Sequence, residues 1–245
     1  MARSIEEKVE EYFKSEFDSL GIRHYGKTEE INSEITSALK QADSKSGGRG
    51  NNYPDIQLLL EDNHSRRIPV MIEAKGSKNK LEKLDKDGQL VQVTKFSYDS
   101  KPNAKNPHKK GDPNYSAITT YATNGALHYG KAVLDYSDYD EVIIMGINGT
   151  TLDKDGTVTD AEQKAYYLSK ANNGVPKHIE ELDQSLILLK QDNIEKLYSV
   201  LDNLGLTADE RQNIKAKTED ELESKVKNIH QKIYDDKSIS LRTND

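Results

Sequence analysis

The stretch Asn51–Gly76, NNYPDIQLLLEDNHSRRIPVMIEAKG, combines two apolar segments with a polar turn between them. Asp55–Glu61 and Ile68–Lys75 have the length and the aliphatic content of β-strands, and the polar residues between them predict a β-hairpin. The three consecutive leucines of the first segment indicate a strand that is buried on both faces. Three charged side chains lie within these otherwise apolar strands: Asp55, Glu73 and Lys75.

Strand geometry predicts where these charges point. Side chains alternate along a strand, so Glu73 and Lys75 share one face while Ala74 points the other way, into the core. Asp55 opens the first strand after Pro54, and a short antiparallel turn brings it beside Glu73. Two adjacent carboxylates raise each other's pKa. A Mg²⁺ ion removes that conflict, and such sites suit phosphodiester hydrolysis. The alternative interpretation is a surface cluster of salt bridges.

Composition limits the protein classes that are possible. The chain has 245 residues, which is enough for one large domain or for a domain with an appendage. It contains no cysteine, which excludes disulfides and thiolate metal sites. No window approaches eighteen consecutive apolar residues, and the N-terminus has no apolar signal core. We therefore expect a cytoplasmic protein with no membrane-spanning segment.

Charge is distributed unevenly along the chain. The net charge is −7, yet residues 75–131 contain eleven lysines against five acidic residues. A basic segment on a negatively charged body is compatible with a DNA-facing groove, and also with a solvated lysine-rich loop. Residues 76–114 show no hydrophobic period, and a stretch of this length is usually functional or mobile.

Helical patterns flank the predicted hairpin. A capping box at Ser4–Glu7 predicts a helix to about Leu20, and a second helix is predicted from Thr28 to Ala42. Glu34 lies about 60° from the centre of the apolar stripe of this second helix. A third helix is predicted from Ser116 to Tyr136. Glu141–Gly149 and Lys164–Ser169 complete the pattern as a strand and its hairpin partner.

The third helix carries a polar stripe beside its apolar one. Asn124, His128 and Lys131 recur at i, i+4 and i+7, so they share one side of the helix. For His128, a phosphate or active-site contact and an ordinary polar role are equally acceptable interpretations. The segment Thr151–Glu162 resembles a calcium-binding loop, but it lacks the first acidic ligand and follows a strand. A hairpin turn at Asp155-Gly156 is the favoured interpretation.

The chain changes character after Pro176. Leu186–Leu204 is predicted to be helical, and capping boxes at Thr207–Glu210 and Thr218–Glu221 predict two more helices. This part of the chain contains no candidate chemistry. We therefore expect a first domain over residues 1–175 and a helical extension over residues 176–245, which packs on it or connects it to something larger.

The motif YPDI…MIEAKG, placed between a helix and a later helix–strand pair, resembles the PD-(D/E)xK nucleases. The resemblance implies an α/β fold with a restriction-endonuclease-like core, in which helices flank a central mixed sheet. It implies Asp55, Glu73 and Ala74 as ligands of Mg²⁺, which Mn²⁺ can replace, and Lys75 as the catalytic lysine. A helical glutamate often joins such sites. Glu34 is the best-placed match, and Glu30 is the second choice.

The later segments YATNGALHYGKAVL and EVIIMGING are similar to those of N-terminal endonuclease domains in type IIG and type I-like restriction–modification enzymes. Asn124 and His128 stand where related nucleases carry a Gln-xxx-Tyr pair, which implies a substrate-binding role for them and for Lys131. The implied partners are double-stranded DNA, a downstream methyltransferase or helicase domain, and a second copy on DNA. The alternatives are a repair or recombination nuclease of the same fold and a non-catalytic DNA-binding module.

Overall fold

The structure is a computed structural model that describes residues 3–48, 52–62, 66–93 and 111–205, together with 222, 223, 225–227, 229 and 230. Its centre is a six-stranded mixed sheet with the strands in the order β1-β2-β3-β4-β5-β6, so the predicted α/β class is confirmed. The helices are α1 (Ile5–Leu20), α2 (Ser33–Gln41), α3 (Tyr115–Thr120), α4 (Ala122–Tyr136) and α5 (Ile194–Leu204). The strands are β1 (Tyr25–Gly26), β2 (Ile56–Glu61), β3 (Arg67–Lys75), β4 (Glu141–Asn148), β5 (Glu162–Ser169) and β6 (Lys177–His178).

The predicted hairpin and the strand pair that follows it form the middle of the sheet. β2 and β3 pair antiparallel with Ile56 opposite Ile72, and β3 and β4 pair parallel with Glu73 opposite Gly146. β4 and β5 form the predicted second hairpin. Because β3 and β4 are parallel, the chain between them must cross one face of the sheet, and it does so through α4. The carboxyl ends of β3 and β4 therefore lie at the same edge.

Apolar layers cover both faces of the sheet. On one face, α1 and α5 pack against the alternate residues of β3 that include Val70 and Ile72. On the other face, α2 and α4 pack against Met71. Strand β3 is consequently buried on both sides, and any charge that it carries near its end must find a partner there.

The first helix follows its sequence signals closely. The Ser4 hydroxyl accepts from the N–H of Glu7, and the Glu7 carboxylate accepts from the N–H of Ser4, as in a capping box. Val9, Phe13 and Phe17 form its buried face. Glu10 is also buried on this helix, and the pairing of this acid is described with the site below.

Two other helices differ from their predicted bounds. α2 begins at Ser33 because the side chain of Asn32 caps it by accepting from the N–H of Ile35, at 2.9 Å. The helix predicted from Ser116 to Tyr136 is interrupted at Tyr121, whose backbone is extended. The N–H groups of the next two residues donate to the carbonyls of Lys80 and Leu81 instead of continuing the helix. The segment after β3 is thereby fastened to the start of α4.

After Pro176 the chain continues the sheet before a second compact unit begins. Residues 1–204 form one compact unit and residues 205–245 a second. β6 extends the sheet beyond residue 175, and Leu197 and Leu201 of α5 are fully buried in the core. The predicted helix from Leu186 consists of short 3₁₀ turns before α5 begins at Ile194. The two predicted capping boxes lie outside the described residues.

The segment Thr151–Glu162 is a turn between β4 and β5. An isolated bridge joins Leu152 to Val158, and the N–H of Gly156 donates to the carbonyl of Asp153. The Asp153 carboxylate accepts from the N–H groups of Asp155 and Thr157, at 2.9 and 2.8 Å. The hairpin interpretation is confirmed. None of the helices that the structure describes is long and apolar enough to cross a membrane.

Candidate active site

Asp55, Glu73 and Lys75 come together at the end of the β2–β3 hairpin, as the strand pattern predicts. The N–H of Asp55 donates to the carbonyl of Ile72 at 3.0 Å, which continues the strand pairing by one residue. The Asp55 carboxylate accepts from the N–H of Ala74 at 2.6 Å. The Lys75 ammonium lies 2.8 Å from the Glu73 carboxylate and donates to the carbonyl of Ala74, also at 2.8 Å.

Both acids of the motif are buried. The exposed fraction is 2% for Asp55 and 0% for Glu73, which argues against a surface salt-bridge cluster. Burial and the nearby charge of Asp55 raise the pKa of Glu73, although Lys45 and Lys75 act in the opposite direction. Both of these ammonium groups contact the same oxygen of Glu73, Oε1. Among the described residues, the other oxygen, Oε2, is buried without a hydrogen-bond partner.

Helix α1 brings two further acids, Glu6 and Glu10, beside the three charged residues of the hairpin. Carboxylate oxygens of Glu6, Glu10 and Asp55 lie within 4.8 Å of one another. The end of β3 touches the start of α1 so closely that a Cβ on Gly76 would lie 2.3 Å from the N of Glu6. This contact allows the glutamates of α1 to reach the hairpin. We call the four acids the carboxylate cluster: Glu6, Glu10, Asp55 and Glu73.

Lysines balance the carboxylate cluster from three sides. The Lys27 ammonium lies 2.7 Å from Asp55 and 3.0 Å from Glu10, whereas Lys45 and Lys75 pair with Glu73. Burial and the charge of Asp55 raise the pKa of Glu10 despite its contact with Lys27. Burial lowers the pKa of Lys75, but the attraction of Glu73 outweighs this effect, so that its net pKa is raised. Lys75 is therefore in its charged form at neutral pH.

Helix α4 holds Glu73 in place from the opposite face. A Cβ on Gly125 would lie 3.1 Å from Cγ of Glu73, so the helix approaches the side chain as closely as a glycine permits. The Tyr129 hydroxyl donates to the carbonyl of Tyr53 at 3.1 Å. Burial and the charge of Glu73 raise the pKa of Tyr129. These contacts leave the Glu73 carboxylate little freedom to turn.

The donor set of this site suits a hard divalent cation. Among the residues that the structure describes, the clustered ligands are all carboxylate oxygens, which Mg²⁺ prefers. The buried and unpartnered Oε2 of Glu73 is a further oxygen whose burial is costly without a partner. Burial raises the pKa values of Glu10 and Glu73, and the charge of Asp55 adds to this effect. A cation would offset the contribution of Asp55.

The structure does not bring Glu34 to the carboxylate cluster. Its carboxylate accepts from the N–H of Asp138 at 2.8 Å. Asp138 precedes β4, whereas Glu73 lies beside Gly146 near the end of that strand. Glu34 therefore lies at the opposite end of the strands from the carboxylate cluster. Glu30, the second choice, is exposed and is not one of the clustered acids. Glu10 is the helical glutamate that lies beside Asp55 and is also buried.

The polar stripe of α4 also has structural partners. The Asn124 amide is fully engaged: it accepts from the N–H of Lys83 and donates to the carbonyls of Lys83 and Val91, at 2.8 to 3.1 Å. The ring of His128 hydrogen-bonds to the carbonyl of Asp43 at 2.7 Å, and burial lowers its pKa. Burial also lowers the pKa of Lys131. The contacts of Asn124 and His128 fasten loops to α4, and their role in substrate binding stays a prediction.

One sequence signal identifies the acids that were missed. In α1, Glu6 and Glu10 precede Phe13 and Phe17 at spacings of four, three and four residues, so they continue the apolar stripe of the helix. Acids placed on a buried face require partners, which marks them as candidates. No comparable signal marks Lys27 or Lys45, because both lie in irregular segments.

Comparisons of the chain with protein-family models, with curated proteins and with solved structures gave no match.

Proposed function

We propose that the protein is a magnesium-dependent DNA endonuclease that hydrolyses phosphodiester bonds at the carboxylate cluster. The observation that carries the proposal is the convergence of Asp55, Glu73 and Lys75 with Glu10 at one edge of the sheet, where an oxygen of Glu73 is buried without a partner.

The residues divide into two groups by their chemistry. Asp55, Glu73 and Glu10, together with the carbonyl of Ala74, would hold Mg²⁺, and Mn²⁺ would replace it with the same ligands. The ion supplies an acidified water and offsets the charge that grows on the phosphate. Lys75 lies against Glu73 with a raised pKa. We therefore assign to it the orientation of the attacking water and the stabilisation of the phosphate, rather than the role of a base.

The sequence also supports a biological setting for the activity. We propose that the chain acts in a restriction–modification system on double-stranded DNA, alongside a methyltransferase or helicase domain. The lysines after Gly76 would contact the phosphate backbone, which supplies affinity with little sequence information. Of this segment the structure describes residues 76–93 and 111–114. Cutting both strands requires two sites, so we expect a second copy to join on DNA.

Cleavage assays test the activity directly. The protein is incubated with supercoiled plasmid, linear duplex, single-stranded and branched DNA, in Mg²⁺, in Mn²⁺ and in EDTA. We expect metal-dependent cleavage of the duplex substrates. A preference for branched or single-stranded DNA would instead identify a repair or recombination nuclease. DNA binding without cleavage in any metal would identify a non-catalytic binding module.

Matched variants test the assignment of the site. Glu73→Gln, Glu10→Gln and Lys75→Met are expected to lower the cleavage rate at least about a hundredfold while DNA binding stays within a few fold. Glu34→Gln is the control, because it removes the charge of a glutamate that lies at the opposite edge of the sheet. Equal losses in Glu34→Gln and Glu10→Gln, or unchanged cleavage in Glu73→Gln, would contradict the assignment.

A further inference from the structure

A cavity opens beside the carboxylate cluster, between α2 and the edge of the sheet formed by β1 and β2. Its volume is about 410 Å³, which is within the range of small-ligand sites, roughly 300–1,000 Å³. Lys27 lines this cavity and also contacts Asp55 at 2.7 Å. Lys27 is therefore shared between the cavity and the carboxylate cluster, where we propose that the reaction takes place.

Tyr53 gives the cavity an exposed aromatic wall. Its exposed fraction is 45%, although the next four residues of the chain are all buried. Two features restrict the backbone of Tyr53. The Tyr129 hydroxyl donates to its carbonyl, and the proline that follows it, Pro54, limits it to extended conformations. An aromatic ring that is exposed and held on a rigid backbone is suited to stacking against a planar group.

The rest of the lining is polar and electrically balanced. Two lysines, Lys27 and Lys40, face two glutamates, Glu29 and Glu30. A balanced lining does not favour a phosphate, which requires a net positive site. The remaining side chains of the wall offer amide and hydroxyl groups and one leucine: Thr28, Thr36, Leu39, Asn52 and Gln57.

One amide in this wall has an unused acceptor. Asn52 is 2% exposed, and its Nδ2 donates to the carbonyls of Leu39, Ala42 and Asp43, at 2.9 to 3.1 Å. Within the part of the chain that the structure describes, its Oδ1 is buried without a partner. Gln57 brings a second amide, with both a donor and an acceptor. Amides beside an aromatic ring are the groups that recognise the edge and the face of a nucleobase.

We infer that this cavity binds an unpaired nucleobase of the strand that is cut, next to the scissile phosphate, with Tyr53 stacked on the base. The inference rests on the proposed nuclease function and adds a substrate preference to it. A base within a duplex is stacked between its neighbours and does not reach a cavity in the protein. DNA that offers an unpaired base beside the cut bond is therefore bound more tightly than the fully paired duplex.

Binding measurements on the whole chain test this preference. Fluorescence anisotropy compares a labelled hairpin DNA that ends in a short single-stranded overhang with the same hairpin fully paired, in Ca²⁺ under conditions without cleavage. Stacking on an aromatic side chain is worth about 1–3 kcal/mol per base. We therefore expect Tyr53→Ala to weaken binding of the overhang DNA about tenfold and to leave binding of the paired DNA within twofold. Tyr136→Ala, which removes a tyrosine of equal exposure, 46%, is the control.

A spectroscopic measurement tests the contact itself. The chain contains no tryptophan, so Tyr53→Trp introduces a single reporter at the cavity and Tyr136→Trp introduces one on α4. We expect the overhang DNA to quench the emission of the Tyr53→Trp variant and not that of the Tyr136→Trp variant. Equal quenching in both variants, or equal affinities of Tyr53→Ala and Tyr136→Ala for the overhang DNA, would overturn the inference and leave the nuclease proposal intact. A wild-type protein that neither binds nor cuts DNA would overturn both.

Discussion

Replacing Glu73 with glutamine should stabilise the folded protein at neutral pH while it abolishes cleavage. Burial and the charge of Asp55 raise the pKa of Glu73 above its ordinary value of 4.5. A carboxyl group with a raised pKa binds its proton more tightly in the folded chain than in the unfolded chain. The contribution of this group to the free energy of unfolding is therefore fully present below pH 4.5 and is lost as the pH rises through the folded pKa.

The size of the effect follows from the linkage between protonation and folding. Each unit of difference between the folded and unfolded pKa values is worth about 1.4 kcal/mol. For a chain of this size, 1 kcal/mol shifts Tm by about 2–4 °C, so each unit corresponds to roughly 3–5 °C. Glutamine has the shape of the protonated side chain and does not titrate. The variant and the wild type should therefore melt together near pH 4 and separate as the pH increases.

Thermal melts in EDTA between pH 4 and pH 8, followed by circular dichroism, measure this separation. Glu30→Gln is the control, because Glu30 is exposed and lies outside the carboxylate cluster. Adding Mg²⁺ should raise the Tm of the wild type and have little effect on Glu73→Gln, since a ligand stabilises only the state that binds it. A Glu73→Gln variant that melts below the wild type at pH 8, or a difference in Tm that does not depend on pH, would refute the reasoning.

Three further substitutions probe α4. Asn124→Ala removes three hydrogen bonds to the segment after β3. At about 1 kcal/mol each, their loss should lower Tm by roughly 6–12 °C. Asn193→Ala removes two exposed hydrogen bonds, at 2.9 and 3.4 Å, and should lower Tm much less; equal shifts in Tm would contradict this expectation. Gly125→Ala places a methyl group 3.1 Å from Cγ of Glu73 and should therefore displace the Glu73 carboxylate. We expect the cleavage rate to fall about tenfold while the DNA affinity is unchanged. An unaffected cleavage rate would show that the site tolerates this displacement. Burial lowers the pKa of Lys131, so Lys131→Met should raise Tm at pH 7 without changing cleavage. A loss of cleavage would support the predicted role of Lys131 in substrate binding.

The hairpin and its charges were predictable because local rules decide them. Strand periodicity places Glu73 and Lys75 on one face, and a proline before Asp55 fixes where the first strand begins. The structure confirms both strands and the contact between Glu73 and Lys75. The register that brings Asp55 alongside Glu73 follows from antiparallel pairing across a short turn.

The choice of helix was not predictable from amphipathic pattern alone. Glu34 and Glu10 each lie at or near an apolar stripe, and periodicity does not say which helix packs against the end of β3. That choice depends on the contact between α1 and Gly76, which links residues far apart in sequence. Similarly, the polar stripe of α4 predicted that Asn124 binds substrate. In the structure its amide donates to backbone carbonyls of a neighbouring loop.

All the charged side chains of the carboxylate cluster and their lysine partners precede Gly76. Among the residues that the structure describes between Gly76 and β4, none belongs to a strand of the sheet. The backbone N–H groups of Ala122 and Thr123 donate to the carbonyls of Lys80 and Leu81, which fastens the segment after Gly76 to the start of α4. Its length and composition can therefore change between these anchors without altering the spacing of the acids. The molecule is in this sense modular: the surface around the cluster can be exchanged, by evolution or by engineering, while the arrangement of its carboxylates is retained.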